Sequence, residues 1–190
     1  WIDFCENHDS CACPKRKETT VTGGTKDISG FRLVDCKTEE DVKASVNQAF
    51  VALSYVWGAP CSGNAGESSP WSRVVKDAIE VTRQLGYRYL WVDRHCIDQE
   101  NAQEKHQQIA RMHDIYGRAQ LTIIATAGDD ASHGLFGVSR PRRQQPSISI
   151  DELHLPMVPS DPQASIRAFV WWHRGWTYQE GALSRSRIIF

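Results

Sequence analysis

The segment AFVALSYVWG, from Ala49 to Gly58, decides the fold that we predict for this chain of 190 residues. Its residues are mostly small, β-branched or aromatic, which is typical of a strand buried on both faces. Two later segments have the same character: YRYLWVD, from Tyr87 to Asp93, and LTIIATA, from Leu121 to Ala127. Amphipathic helical patterns separate these strands. The alternation predicts an α/β fold with a mostly parallel sheet that helices cover on both faces.

Both helical patterns have recognisable ends. Ser69 is a suitable cap for the first helix, Pro70 suits its first turn, and Gly86 suits its far end. The second helix is predicted to begin at Asn101, with Glu104 three residues later as in a capping box. Its apolar stripe consists of Ile109, Met112, Ile115, Tyr116 and Ala119. We therefore expect one helix after each of the first two buried strands.

Shorter segments complete the predicted order of elements. Residues 31–35 (FRLVD), 165–172 (SIRAFVWW) and 187–190 (RIIF) are predicted as strands. Residues 147–158 (SISIDELHLPMV) are predicted as a hairpin or an edge region, and residues 176–184 (WTYQEGALS) as a short helix. The sheet should therefore be accompanied by extra β segments.

The composition fits one domain of residues 31–190, preceded by a polar N-terminal arm of residues 1–30. The formal net charge of −1 disfavours binding to nucleic acid or to an anionic membrane surface. No apolar run approaches the ~20 residues that cross a bilayer, so we expect no membrane span. The chain opens on Trp1 without a signal peptide and ends on a strand cut short. We expect a cytoplasmic fragment of a larger protein, with reduced cysteines.

Polar side chains collect at the carboxyl ends of the predicted strands, where open α/β sheets bind ligands. The candidates are Ser54, Tyr55 and Trp57 after the first strand, Asp93, Cys96, Asp98 and Gln99 after the second, Thr126, Gly128 and Asp129 after the third, and Trp176 and Glu180 on the last helix. Several of them also have a plain structural interpretation. Asp93 could cap a turn, Trp57 could pack at the rim of the core, and Glu180 could be a solvated helix carboxylate.

Cysteine and histidine residues give two weaker hypotheses. The N-terminal CENHDSCAC contains four soft zinc ligands, Cys5, His8, Cys11 and Cys13. Their intervals do not match the common paired CxxC spacing, so free or packed thiols are favoured over a structural zinc. Cys96 lies beside His95, but neighbouring residues seldom face each other. A buried, inert thiol is favoured there over a nucleophile.

Three motifs in this order resemble one family: ALSYVWG (52–58), YLWVDRHCIDQ (89–99) and RGWTYQE (174–180), with EKHQQIARMHDIYGRA and GLFGVSRP between the last two. Together they resemble the fungal heterokaryon-incompatibility (HET) domain, and the resemblance covers nearly the whole chain. One departure is DRHCIDQ, because the family usually has a small or apolar residue at the positions of Arg94 and His95. This departure affects what lines a pocket there, and it does not affect membership.

The resemblance implies a fold and an activity. HET domains trigger cell death when genetically different fungal cells fuse, and they are thought to be related to Toll/interleukin-receptor (TIR) domains, which have a flavodoxin-like sheet. WTYQE is similar to the TIR segment WCxxE, whose Glu is catalytic in the enzymes of that family that cleave NAD⁺. Carried onto this chain, the catalytic residue is Glu180. The implied products are nicotinamide and ADP-ribose.

The chemistry is consistent with a carboxylate at this position. Cleaving the nicotinamide–ribose bond expels a neutral group and leaves positive charge on the ribose, which a fixed carboxylate stabilises in the transition state. The expected NAD⁺ pocket contains Ser54, Tyr55, Trp57, Gly58, Asp93 and Trp176, with Gly58 or Gly128 offering turn N–H groups to the pyrophosphate. No cofactor is required. A homo-oligomer is expected, formed through this domain or a missing one.

A non-enzymatic interpretation stays open, because TIR domains also include scaffolds and a fold alone does not decide function. In this alternative the domain triggers cell death by self-association or by recruiting partners. The discriminating feature is a real pocket beside Glu180, since in a scaffold the same residues would be packed or salt-bridged.

Overall fold

The computed structural model describes residues 28–58, 69–142, 146–157 and 161–190. The four candidate zinc ligands of the N-terminal arm and most of the arm itself lie outside the described residues. Within the described part the protein has eight strands: β1 (Arg32–Asp35), β2 (Glu40–Lys43), β3 (Val51–Ser54), β4 (Tyr89–Val92), β5 (Leu121–Ile124), β6 (Ser147–Ile150), β7 (Leu153–Pro156) and β8 (Arg187–Ile189). The helices are α1 (Arg73–Gln84), α2 (Asp93–Cys96), α3 (Ala102–Ala110), α4 (Met112–Arg118), α5 (Pro162–Arg167) and α6 (Thr177–Ala182), with a 3₁₀ turn at Val170–His173.

Six strands form one sheet in the order β2-β1-β4-β3-β5-β8. β3 pairs in parallel with β4 and β5, and β5 pairs in parallel with β8, while β1 and β2 join as antiparallel strands at one edge. Numbered along the chain, the four parallel strands lie in the order second, first, third, fourth, as the first four strands do in a flavodoxin-like sheet. The predicted α/β fold with a mostly parallel sheet is confirmed.

The strand order also distributes the helices. Right-handed crossovers in this order place α1 on one face of the sheet and the helices that follow β4 and β5 on the other. In agreement, α1 contacts β3 and β4, whereas α4 contacts α6. The ends of β3 and β5 are the point at which the strand order reverses. In open α/β sheets that point is where a ligand crevice forms.

The core follows from the apolar strands. All four residues of β3 and of β5 are buried, and Trp91 of β4 is fully buried with its ring edge against Tyr116, 5.5 Å between centroids. Burial of one large side chain of this kind stabilises the fold by roughly 1.5–3 kcal/mol. The phenol of Tyr116 also donates a hydrogen bond to the carbonyl of Leu53 at 3.2 Å. Helix α4 is thereby fixed against the central strand.

The ends of α1 agree only partly with the prediction. The helix begins at Arg73, three residues after Pro70, and its cap residue Ser72 makes no side-chain capping bond. The far end is as predicted, because Gly86 has a φ of +79° and its N–H donates to the carbonyl of Arg83. The N–H of Tyr87 closes the turn onto Thr82. This pair of bonds is a Schellman motif, which favours glycine at that position.

The helix predicted after β4 is two helices. Asn101 does cap its start, accepting the N–H of Glu104 at 3.2 Å. The helix is interrupted at Arg111, however, where the backbone has φ −108° and ψ 13°. The apolar stripe continues across the break, since Met112, Ile115 and Tyr116 are buried. A sequence pattern with an uninterrupted period did not predict the interruption.

The strand predicted at residues 165–172 is wrong. Helix α5 occupies Pro162–Arg167 and the 3₁₀ turn follows it. Asp161 caps the helix by accepting the N–H of Gln163 at 2.8 Å, and a capped first turn outweighs the aromatic and β-branched residues after it. Only Trp171 in that run is buried. The apolar pattern therefore reflected one anchoring side chain and no buried strand.

Of two short β elements, the sequence predicted one and missed the other. Strand β2 was not predicted, because EDVK is charged and exposed at the edge of the sheet and has no apolar pattern. The β6–β7 hairpin was predicted, and its register places Ile148 opposite Leu155 and Ile150 opposite Leu153 on one face. All four side chains are exposed.

Among the helices of the described residues, none combines the length and the apolar character that a membrane crossing requires.

Candidate functional site

A buried hydrogen-bonded chain connects the end of β3 to α6. Helix α6 places Glu180 against Ser54, whose hydroxyl donates to Oε2 of Glu180 at 2.5 Å. The indole Nε1 of Trp171 in turn donates to the Ser54 hydroxyl at 2.7 Å. Glu180 is 1% exposed and Trp171 3%. The carboxylate is therefore held in one orientation by Ser54, 126 positions earlier, and the Ser54 hydroxyl is itself fixed by Trp171.

Arg174 faces the other oxygen of Glu180. Its Nη2 lies 3.8 Å from Oε1, an ion-pair distance that is too long for a hydrogen bond. Its Nη1 donates to the backbone carbonyl of Tyr55, which follows β3. Since Ser54 occupies Oε2 and Arg174 only approaches Oε1, the second oxygen retains hydrogen-bonding capacity.

Asp93 lies at the first position of α2, directly after β4, and is 8% exposed. Both of its oxygens accept the indole N–H of Trp57 at 3.0 Å, and Oδ1 also accepts the backbone N–H of Arg94 at 2.7 Å. The guanidinium of Arg94 lies 5.7 Å from the centre of the Trp57 ring. Asp93 thus has the structural role of a turn acceptor and also fixes the Trp57 ring.

The two carboxyl groups have raised pKa values. Burial raises the pKa of Glu180, and the Ser54 hydrogen bond, the Arg174 charge and the Trp171 indole oppose that rise. Burial raises the pKa of Asp93 to about 7, and the negative charge of Glu180 adds to it. Two carboxyls near one pocket disfavour simultaneous ionisation. Asp93 is therefore partly protonated near neutral pH.

A pocket of about 240 Å³ lies beside these carboxyls. One side of it is formed by Asp93 and Glu180, with Arg174 next to them. The remaining lining comes from the segment after α2, from α3 and α4, and from two aromatic residues at the mouth, namely Ile97, Gln99, Lys105, Ile109, Met112, Trp57 and Trp176. Trp176 is 45% exposed. The lining is mostly apolar with a few convergent polar groups, as expected of a small-molecule site.

The structure brings four of the seven residues expected at the NAD⁺ site to this pocket and places three elsewhere, and Gln99 of the wider set of strand-end candidates also lines it. Glu180, Asp93, Trp57 and Trp176 line it. Ser54 lies behind Glu180 and holds it, and Tyr55 contributes its backbone carbonyl to Arg174. The Tyr55 hydroxyl is buried without a hydrogen-bond partner among the described residues.

Gly58 is not among the pocket-lining residues. Its φ is +73°, and a Cβ built there would lie 2.4 Å from the Cβ of Asp130, so the turn needs glycine for conformation and for space. Gly128, the other predicted N–H donor, packs against His133 in the same way. Thr126 of the same cluster donates to the carbonyl of Phe190. Thr126 and Gly128 therefore take part in sheet closure and packing, whereas Asp129 is exposed and is not among the pocket-lining residues.

Three residues of the site were given no role by the sequence. Trp171 stood within the strand that was wrongly predicted, Arg174 stood within the RGWTYQE motif, and Lys105 stood on the helix after β4. Position within a motif was the available signal for Arg174. Lys105 lies one helical turn before Ile109, and this i to i+4 spacing could have placed it on the pocket side.

The remaining cysteine and histidine candidates do not form a site. Cys96 is fully buried, and burial raises the pKa of its thiol well above the usual value, which makes it the inert group that we expected. His95 packs edge-on against Trp71, 4.7 Å between ring centroids. Arg94 and His95, the departures from the family pattern, therefore contact aromatic rings. The described ranges contain no cluster of three or more metal-binding side chains.

Comparison with known proteins identifies relatives of this chain. The family model described as "Heterokaryon incompatibility protein (HET)" matches residues 50–180. The chain is 29% identical over 104 residues to "Heterokaryon incompatibility protein 6, OR allele" of Neurospora crassa. That alignment covers 44% of this chain and 15% of the relative, so the chain spans a small part of that protein's length. No solved structure matches the chain.

Proposed function

The chain belongs to the heterokaryon-incompatibility (HET) family, and from this premise we propose that it is a cell-death domain that hydrolyses NAD⁺ to nicotinamide and ADP-ribose, with Glu180 as the catalytic residue. The observation that carries the proposal is the fixed carboxylate of Glu180 beside a pocket. The relation to TIR domains rests on the motif resemblance. The flavodoxin-like order of the parallel strands is consistent with that relation.

A fixed carboxylate is what this reaction needs. As the bond between nicotinamide and ribose breaks, positive charge develops on the ribose, and a carboxylate that is already oriented stabilises it without reorganisation. Ser54 fixes one oxygen of Glu180 at 2.5 Å. The other oxygen, with Arg174 at 3.8 Å, is available to a ribose hydroxyl or to water. The hydrogen bonds of the site thus stabilise Glu180 through Oε2 and leave its Oε1 without a hydrogen bond.

The pocket supports a ligand with an aromatic cationic end. Trp57 and Trp176 provide aromatic surface, and two carboxyls lie at the buried side. The pocket volume of about 240 Å³ is below the ~300–1,000 Å³ of pockets that enclose a whole drug-sized ligand. The nicotinamide–ribose part of NAD⁺ would occupy the pocket, and the adenosine part would extend outside it.

We also propose that the protein is located in the cytoplasm and forms a homo-oligomer.

A second candidate function is a non-enzymatic self-association module. The observation that favours it is the apolar face of the β6–β7 hairpin, formed by Ile148, Ile150, Leu153 and Leu155, which are 49–66% exposed. Isolated two-stranded hairpins are only marginally stable in water, so this face would gain from being covered. In this alternative the hairpin mediates assembly and the pocket is incidental.

The test is nicotinamide release from NAD⁺ at high protein concentration, comparing the wild type with Glu180→Gln. The amide retains an acceptor for Ser54 and removes the charge, so we expect at least a 100-fold loss of release with little loss of folding. Glu152→Gln, an exposed carboxylate in the hairpin turn, is the matched control and should retain full release.

Two results would contradict the enzymatic proposal in different ways. If the wild type releases no nicotinamide even when artificially clustered, catalysis is excluded and the self-association function takes its place. If Glu180→Gln and the wild type release nicotinamide at the same rate, the chain cleaves NAD⁺ but Glu180 does not carry the reaction.

A further inference from the structure

We propose that Lys105 binds the phosphate next to the nicotinamide ribose. The pocket would then select nicotinamide nucleotides, which have this phosphate, over nicotinamide riboside, which lacks it. This inference rests on the proposed function, since it specifies the substrate class of the same site. Lys105 is on α3 and lines the pocket together with Ile109 one turn later.

The pocket is lined by charges of both signs. Asp93 and Glu180 are its acidic residues. Arg174 also lines the pocket, but its guanidinium is engaged by the Tyr55 carbonyl and faces Glu180. Lys105 is the lining cation that has neither an ion pair nor a side-chain hydrogen bond within the described ranges. It is therefore the positive group that remains available to a ligand.

The neighbours of Lys105 do not neutralise it. Glu104 precedes it in sequence but its carboxyl lies beside Gly30, against a different part of the surface. Lys105 is itself half-buried, and its side of the pocket includes the apolar Ile109 and Met112. The aliphatic stem of such a lysine packs on apolar groups while its ammonium stays available to an anion. A ligand phosphate would supply that anion.

The arrangement matches the charge pattern of one ligand class. A nicotinamide nucleotide has a cationic ring, a ribose on which positive charge develops, and a phosphate one sugar away. Acidic groups and a free ammonium in the lining of one pocket complement the charges of such a ligand. A nicotinamide riboside has the ring and the sugar without the phosphate. It would therefore gain nothing from Lys105.

The experiment compares NAD⁺, nicotinamide mononucleotide and nicotinamide riboside as substrates of the wild type, Lys105→Gln and Lys105→Arg. We expect Lys105→Gln to raise KM about 10- to 100-fold for the two phosphorylated substrates, as expected for loss of a charged hydrogen bond, with kcat nearly unchanged. KM for the riboside should not change. Lys105→Arg should restore most of the affinity, and the exposed Lys37→Gln serves as the matched control.

Two outcomes would overturn the inference about Lys105 and would not contradict the proposed function. One is an equal rise of KM for all three substrates, which indicates a structural role for Lys105. The other is no change with any of them. In both cases NAD⁺ is still cleaved.

If the wild type cleaves none of the three compounds, the proposed function fails and calorimetry decides the inference separately. Binding of nicotinamide mononucleotide that Lys105→Gln abolishes, without comparable binding of the riboside, would support the phosphate site. Equal binding of both compounds, or no binding, would overturn it.

Discussion

The buried side and the mouth of the pocket are built in opposite ways. At the buried side Trp171, Ser54 and Glu180 form one hydrogen-bonded chain with distances of 2.5 and 2.7 Å. At the mouth Trp176 is 45% exposed and Lys105 has no polar partner within the described residues. Groups that must be oriented before a reaction are fixed by the fold, whereas groups that recognise a ligand are left for the ligand to engage. Mutations should separate these two behaviours.

The largest expected effect is the pH dependence caused by Asp93 at the buried side. Its folded pKa of about 7 exceeds the reference value of 3.8, so the folded state binds more protons between these two values. Its contribution to stability is therefore present below about pH 4 and is lost as the pH rises through 7. Relative to wild type, Asp93→Asn should gain up to about 4 kcal/mol in unfolding free energy between about pH 4 and 8.

Urea denaturation of both proteins across that pH range measures the difference. The amide oxygen can still accept from Trp57, so the comparison isolates the charge. A difference that does not change with pH would show that Asp93 ionises normally and that the buried side does not disfavour its charge.

A smaller but still large effect is expected for Ser54→Ala. The substitution leaves the indole N–H of Trp171 and one oxygen of Glu180 buried without partners, which costs about 1–3 kcal/mol of unfolding free energy. It also frees the carboxylate that we propose to be catalytic, so nicotinamide release per folded molecule should fall about 10-fold or more.

Ser184→Ala is the matched control for this variant. Ser184 is also buried, and it bonds Thr122 and the backbone carbonyl of Glu180 but not the Glu180 side chain. It should lose comparable stability and retain its activity. Equal activity losses in both variants would show that Ser54 acts only through general packing.

Arg174 connects the two regions, and its removal should shift a pH profile. Its charge lowers the pKa of Glu180, so Arg174→Met should raise that pKa further. Because the proposed reaction requires the carboxylate, the acidic limb of nicotinamide release should move to higher pH. Initial rates between about pH 4 and 8 measure it. A limb that stays in place would mean that a different group titrates.

The smallest effect on folding is expected at the mouth. Trp176→Ala removes a ring that is nearly half exposed, so its unfolding free energy should change by less than about 1 kcal/mol. Its KM for NAD⁺ should nevertheless rise several-fold, because an aromatic surface is lost. Thermal unfolding and initial rates distinguish these effects. A large loss of stability would show that the mouth is as much part of the fold as the buried side.

At the buried side of the pocket, the sequence predicted where single residues lie better than it predicted the hydrogen bonds between them. Strand-end reasoning correctly placed Ser54 and Asp93 at the same edge of a parallel sheet, because their strands are apolar throughout. Glu180 came from a motif, and its position on a short helix was also correct. Hydrophobic patterns report burial, so they identified the strands that build this edge.

The connections could not be predicted, because they depend on contacts between distant segments. Trp171 was placed in a strand, since its aromatic and β-branched neighbours follow a strand pattern while a capped helix before them decides the backbone. Nothing local indicates that its indole reaches Ser54, 117 positions earlier. The partner of Lys105 cannot be read from the sequence either, since it is proposed to be a ligand.

The separation between Ser54 and Glu180, 126 positions, has a consequence during synthesis. At roughly 5–20 residues per second, a ribosome needs about 6 to 25 seconds to pass from one to the other. Throughout that interval the nascent chain contains β3 but not the helix that holds the carboxylate. A translation product that ends before position 180 lacks Glu180. Any activity that needs both Ser54 and Glu180 is therefore restricted to chains that have been translated past both residues.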